Sequence, residues 1–173
     1  IKSSPRIIWE NVYSRFGRKI DSSDINKSCP DTLADLISFE SSFDTKKLAK
    51  YGKEIIEKKE IVLLGERSDF EWPPDINSGE WPNKPSNSIP YYGEEIRDIK
   101  PHWEFQRLQW LVNVSAFAFE TKDKKLASEI LDFILYHGRM NPLYRGVNWI
   151  EGIEVSIRSI SIAESLAIIK PIL

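Results

Sequence analysis

The sequence predicts a mainly α-helical fold: antiparallel helix hairpins in the second half, preceded by a helix, a short strand and a long aromatic, proline-rich loop. Three observations predict it. After residue 100, apolar residues recur three and four apart over long stretches, the period of one helix face. A link of two or three residues around Lys122 and Asp123 separates the first two stretches, and links that short join antiparallel neighbours. From Phe70 to Tyr92, by contrast, prolines forbid a long helix, while Gly79 and the asparagines favour turns.

In chain order, Pro5 to Lys19 reads as a short helix with Ile8, Val12 and Phe16 four apart, and Asp21 to Asp31 as a loop. Asp44 is suited to capping a helix that runs to Lys59, with Leu48, Tyr51, Ile55 and Ile56 as its apolar stripe. Ile61 to Leu64 is a short apolar run closed by Gly65, which suits a strand. The loop that follows carries Trp72, Trp81, Tyr91 and Tyr92. Loops this long are functional or disordered, and the aromatic content argues against disorder. Trp72 and Trp81 can serve there either as exposed planes or as anchors into the core.

Three helices complete the pattern. The first is expected from Pro101 to Thr121, burying Leu108, Leu111, Val112, Ser115, Ala116 and Phe119. The second runs from Asp123 to Arg139 with Leu126, Ile130, Phe133, Ile134 and His137 on one side. The third runs from Trp149 to Ile169 with Ile153, Ile157, Ile160, Ala163 and Ala167 as its stripe. The organisation divides at 1–95 and 96–173. Helix pairs of this size are the units of solenoids and closed toroids, and such a unit buries both faces only against neighbours. The chain opens on Ile1 and ends within an apolar stretch, so a segment of a longer protein, truncated at its C-terminus, is expected.

Composition narrows the function classes. A net charge of -2 leaves no electrostatic footprint for nucleic acid. The lysines between Lys46 and Lys59 are interrupted by glutamates, as on a solvated helix face. No apolar run reaches membrane-spanning length, and no secretory signal opens the chain. Cys29 is the single cysteine, so no internal disulfide can form, and nothing local activates its thiol. His102 and His137 lie far from it, no ligand pair shows metal spacing, and no metal or cofactor is expected.

The chemistry concentrates in two helix openings. One is Asp98-Ile-Lys-Pro-His-Trp103-Glu104-Phe-Gln-Arg107; the other holds Asn141, Gly146, Asn148, Trp149, Glu154 and Arg158. Each sets a tryptophan near a glutamate and an arginine three or four residues apart, and such neighbours share a helix face. An indole stacks on the C–H face of a sugar, and a guanidinium fork suits a carboxylate. The same residues also suit plain architecture. Glu154 and Arg158 then form a helical ion pair, Glu104 and Arg107 another, Asn148 caps the third helix, Trp103 and Trp149 pack in the core, and His102 caps or packs.

These blocks, in this order, together with Phe70-Glu-Trp72-Pro…Gly79-Glu-Trp81-Pro82, resemble the N-terminal helical domain of heparinase II/III-like polysaccharide lyases over roughly residues 61–160. The resemblance implies an incomplete α/α toroid and, in the parent protein, β-elimination on polysaccharides containing uronic acid without a metal. It implies a substrate-cleft wall that includes Asn148, Trp149, Glu154, Arg158, Trp103, Glu104 and Arg107, and an acidic polysaccharide or oligosaccharide as partner. It also implies contact with the missing C-terminal part of the same chain, and a periplasmic or secreted location. The family's Asn-Asn-His motif is absent from this sequence, which implies that the proton-transferring tyrosine and histidine lie downstream and that the segment alone is inactive. Two alternatives differ in class. One is a helical module that binds a protein partner through the apolar end from Ile160 to Leu173. The other is a glycoside hydrolase on a similar toroid, which needs two opposed carboxylates that this sequence does not identify.

Overall fold

The computed structural model describes residues 44–76, 81–90 and 98–173. The expected helix from Pro5 to Lys19, the loop from Asp21 to Asp31, Cys29, Gly79, Tyr91 and Tyr92 lie outside the described residues. The described part is mainly helical, with one two-stranded sheet.

Helix α1, Thr45–Lys58, starts where a capping aspartate predicts it: the Asp44 carboxylate accepts a hydrogen bond from the Lys47 backbone N–H at 3.2 Å. It ends on Lys59 in the left-handed conformation (φ 55°). Its buried line is Ala49, Gly52 and Ile55, so Tyr51, expected in the stripe, stands half exposed. The reason is a close approach to the helix that carries Asn113. A Cβ on Gly52 would lie 2.0 Å from the Asn113 carbonyl oxygen, so only glycine fits the contact line.

Strands β1, Glu60–Leu63, and β2, Glu66–Asp69, form an antiparallel hairpin in the register Glu60 to Asp69 and Leu63 to Glu66. Leu64 and Gly65 both have positive φ (53° and 85°), as a two-residue type I′ turn requires. The strand at Ile61 was expected. Its partner was not, because Glu66-Arg-Ser-Asp69 is wholly polar and wholly exposed.

The expected continuous helix from Pro101 to Thr121 is two helices, α2 (Lys100–Gln106) and α3 (Gln109–Thr121). The break falls at Leu108, which is left-handed (φ 58°) yet fully buried. Side chains take up carbonyls at the end of α2: Trp110 Nε1 donates to Phe105 O at 3.0 Å and Arg158 Nε to Gln106 O at 2.7 Å. Helix α4, Lys124–Met140, follows α3 through the short link foreseen, with Asp123 capping it by accepting from Leu126 N–H at 3.0 Å. Helix α5 is Gly152–Ile169; Trp149, expected to open it, lies instead in a separate 3-10 turn, Val147–Trp149.

Helix α3 packs against α1, α4 and α5, with Leu111 and Val114 fully buried. Around its start, Phe70, Trp72, Phe105, Trp110 and Phe133 form an aromatic cluster with ring centroids 5.1–6.4 Å apart. Trp72 is therefore a loop anchor, and its Nε1 donates to Glu129 at 2.8 Å. A smaller core of Ile89, Ile99 and Val147, flanked by Trp81, Trp103 and Ile150, lies under the candidate site.

The stripe expected on α5 mostly faces outward, with only Ile157 and Ala167 partly buried. Ile153 and Ile160 are 64% and 58% exposed, and Ala163 is exposed too. The buried face instead carries Glu154, Arg158, Ser161, Ser165, Ile168 and Ile169.

Candidate functional site

Three segments distant in sequence meet at the openings of α2 and α5. Backbone bonds fasten the loop at 83–86 to the turn at 144–146. Gly146 N donates to Lys84 O and Ser86 N to Tyr144 O, both at 2.9 Å. Arg145 adds bonds to the Asn83 side chain (2.9 Å) and carbonyl (2.6 Å). Gly146 has φ 76°, a conformation that suits glycine. Helix α2 joins them through Trp103, whose Nε1 donates to Val147 O at 3.0 Å, and through His102, whose ring lies 5.9 Å from that of Trp81.

Asn148 does not cap α5, which has no side-chain cap. Its buried amide instead links two helices. The directions of these bonds follow from their end point. The His137 carbonyl can only accept, so Asn141 Nδ2 donates to it (3.0 Å) and Asn141 Oδ1 accepts from Asn148 Nδ2 (2.5 Å). Asn148 Oδ1 is then left to accept from His102 Nε2 at 3.0 Å. The relay thereby assigns the proton on His102 to Nε2.

The ion pairs expected within single helices are redistributed. Glu154 does not bridge to Arg158. It takes a two-pronged bond from Arg107 across the helix interface, Nε to Oε2 and Nη2 to Oε1, both at 2.8 Å. Glu104 does bond Arg107, through Nη1, as its spacing predicts. These bonds, the one to Glu154 foremost, hold the Arg107 guanidinium above its ordinary pKa. Arg158, four residues after Glu154, spends its donors on backbone: Nε on Gln106 O, and Nη1 on Asn148 O at 3.1 Å. Burial pushes Arg158 down to about 10, with Glu154 opposing the shift, so it stays cationic at neutral pH. Two carboxylates, Glu104 and Glu154, therefore balance two guanidiniums.

Burial separates the seven expected site residues into two groups. Asn148, Glu154 and Arg158 are buried and tie α2 to α5. Trp103, Glu104, Arg107 and Trp149 are half-buried and form the rim. Arg158 Nη2 and Trp149 Nε1 are buried donors with no partner among the described residues.

Sequence reasoning gave Gln106 and His137 no place among the expected site residues, and it put Asn141 in the second opening without a role there. His137 is buried and its Nε2 contacts Gln106 Oε1 at 2.7 Å. Burial chiefly, then the charges of Arg158 and His102, push its imidazole down to about 3. The available signal was a polar Gln106 between Phe105 and Arg107 in a helix expected to pack, which requires a buried partner.

Among the described residues no group of three or more His, Cys, Asp or Glu side chains could hold a metal ion, and no helix is long and apolar enough to cross a membrane. Comparison of the chain with protein-family models, with curated proteins and with solved structures finds no match in any of the three.

Proposed function

We propose that the chain is the N-terminal segment of a heparinase II/III-like polysaccharide lyase and contributes one wall of a cleft for an acidic polysaccharide. The observation that supports this reading is the convergence of its blocks. The loop at Trp81, the α2 opening and the α5 opening carry the resemblance, and they are joined by the Trp81–His102, Trp103–Val147, His102–Asn148 and Arg107–Glu154 contacts. In this reading α3, α4 and α5 belong to an incomplete α/α toroid that further helices of the parent protein extend. Asn148, Glu154 and Arg158 hold the wall in shape, while Trp103, Glu104, Arg107 and Trp149 face the substrate.

The reaction removes the C5 proton beside a uronate carboxylate and expels the C4 oxygen, leaving a carbon–carbon double bond. It needs a base, an acid and a group that neutralises the carboxylate. In this proposal those groups lie downstream. The test uses the full-length protein on a panel of uronic-acid polysaccharides. Ultraviolet absorbance from the new double bond is expected to rise with time. New reducing ends without that absorbance would point to hydrolysis and sink the proposal.

A second reading, a helical module that binds a protein partner, has one specific observation in its favour. The exposed Ile160 of α5 borders a groove of about 420 Å³ lined also by Leu48, Val112, Ile157 and Glu164 among others. Recovery of a defined protein that Ile160→Asp abolishes, with no melting shift on adding acidic oligosaccharides, would favour it.

A further inference from the structure

Three residues whose spacing predicts burial stand in water. Tyr51 on α1 is 50% exposed, and Ile153 and Ile160 on α5 are both more than half exposed. All three stand on or beside the groove between α1 and α5, to which α3 contributes Gln109, Val112 and Asn113. Leu48 lines it on the α1 side, and Tyr51, three residues on, shares that helix face. Ile157 and Ile160 line it on the α5 side, and Ile153, four residues before Ile157, continues their row. Apolar surface gathered in this way, rather than scattered singly, marks a place where another molecule packs.

The two walls also carry opposite charge. Glu164 lines the α5 side, and the positions three and four away from it hold Ile160, Ser161, Ala167 and Ile168, none of them basic. Burial raises its pKa, with no cation to offset the shift. On α1, the exposed Lys47 precedes Leu48 and lies one turn before Tyr51. Neither Glu164 nor Lys47 has an ion-pair partner among the described residues. An acid on one wall, a base on the other and apolar surface between them make a face complementary to itself. A two-fold rotation sets α1 of one copy against α5 of the other, and each Lys47 against the other copy's Glu164.

We infer that this face is an isologous interface between two copies of the chain, with Lys47 and Glu164 paired twice across the two-fold axis. The inference rests on the reading of the chain as a partner-binding module and names the partner. The row from Ile153 to Glu164 is about 16 Å long at the helical rise, and the face is two helices wide, so the buried area falls at the low end for specific interfaces. The dimer is therefore weak and concentration-dependent, and dilute protein keeps Ile160 in water.

Sedimentation equilibrium of the full-length protein over a range of concentrations tests it, with Glu164→Lys and Lys47→Glu as separate variants. The unaltered protein is expected to pass from monomer to dimer as concentration rises. Each variant alone sets like charges against each other twice, so its dimer should be at least about tenfold weaker. An equimolar mixture of the two variants restores both pairs in the mixed dimer, which should form with an affinity within about threefold of the unaltered protein's. That recovery also shows both variants to be folded. An unaltered protein that stays monomeric at every concentration overturns the inference, as does a dimer indifferent to both variants or a mixture that does not recover. A monomer that captures a different protein through Ile160 leaves the module reading standing and the second copy refuted. A monomer that captures none refutes both.

Discussion

Helix α5 has two faces that follow opposite rules. One carries Glu154 and Arg158, 3% and 4% exposed, and turns toward α2 and α3. The other carries Ile153 and Ile160, both more than half exposed. Hydropathy alone would reverse that assignment. The difference teaches that hydrogen-bond demand, not apolar surface, orients this helix. Buried charge is tolerated only when paired and hydrogen-bonded. Glu154 receives both prongs of Arg107, and Arg158 reaches two carbonyls, one of them Gln106 O at the early end of α2. The helix break at Leu108 and the buried arginine are thus one feature: the break opens a carbonyl, and α5 rotates its polar face inward to supply the donor.

The strongest way to break the contrast is Arg158→Met, which keeps bulk and removes the donors. Gln106 O and Asn148 O lose their bonds, and Glu154 loses a nearby positive charge. A loss of about 3–5 kcal/mol in urea unfolding is expected. A loss under about 1 kcal/mol, in the range of ordinary surface substitutions, would mean that the polar face does not hold α2 against α5.

A smaller effect comes from pH. His137 is buried with its Nε2 on Gln106 Oε1, and its imidazole is pushed from an unfolded value near 6.5 down to about 3. Between these values the unfolded chain binds the proton and the folded chain does not. The contribution is therefore complete above about pH 6.5 and is lost as pH falls toward about 3, to a total on the order of a few kcal/mol. His137→Gln lacks the titrating group while retaining polar atoms. Its stability should fall less steeply than the parent's between pH 7 and about pH 4, and comparing the two cancels the carboxylates they share. Parallel slopes would show that His137 is not the group concerned.

How much of this was legible follows the same division. Helix α1 and the α3–α4 hairpin were readable because local signals agree with packing: Asp44 and Asp123 cap as expected, and the apolar lines of α4 fall where the period puts them. The two helix openings announce themselves in composition, and the fold brings them together, but the buried contact of Gln106 with His137 beside them was not foreseen. Nor were the partnerships. Spacing pairs Glu154 with Arg158, but the break at Leu108 brings Arg107 to Glu154 instead. That break carries neither glycine nor proline to signal it. The inward face of α5 was lost for the same cause: its polar side finds acceptors that exist only once α2 has ended. Strand β2 was lost because an exposed polar edge has no hydrophobic pattern to show.

The smallest expected effect sharpens the comparison from the other side. Ile160 borders the groove between α1 and α5 and is already mostly in water. Ile160→Asp should therefore change unfolding stability by no more than about 0.5 kcal/mol, as for an ordinary surface position. Burial also raises the pKa of Glu164, which lines the same groove and has no ion-pair partner among the described residues, so a second carboxylate adds mild repulsion rather than breaking a bond. A loss of about 2 kcal/mol or more would require Ile160 to be packed in solution. The apolar face would then be an interior surface like its polar opposite, and hydrogen-bond demand would no longer suffice to explain how α5 is turned.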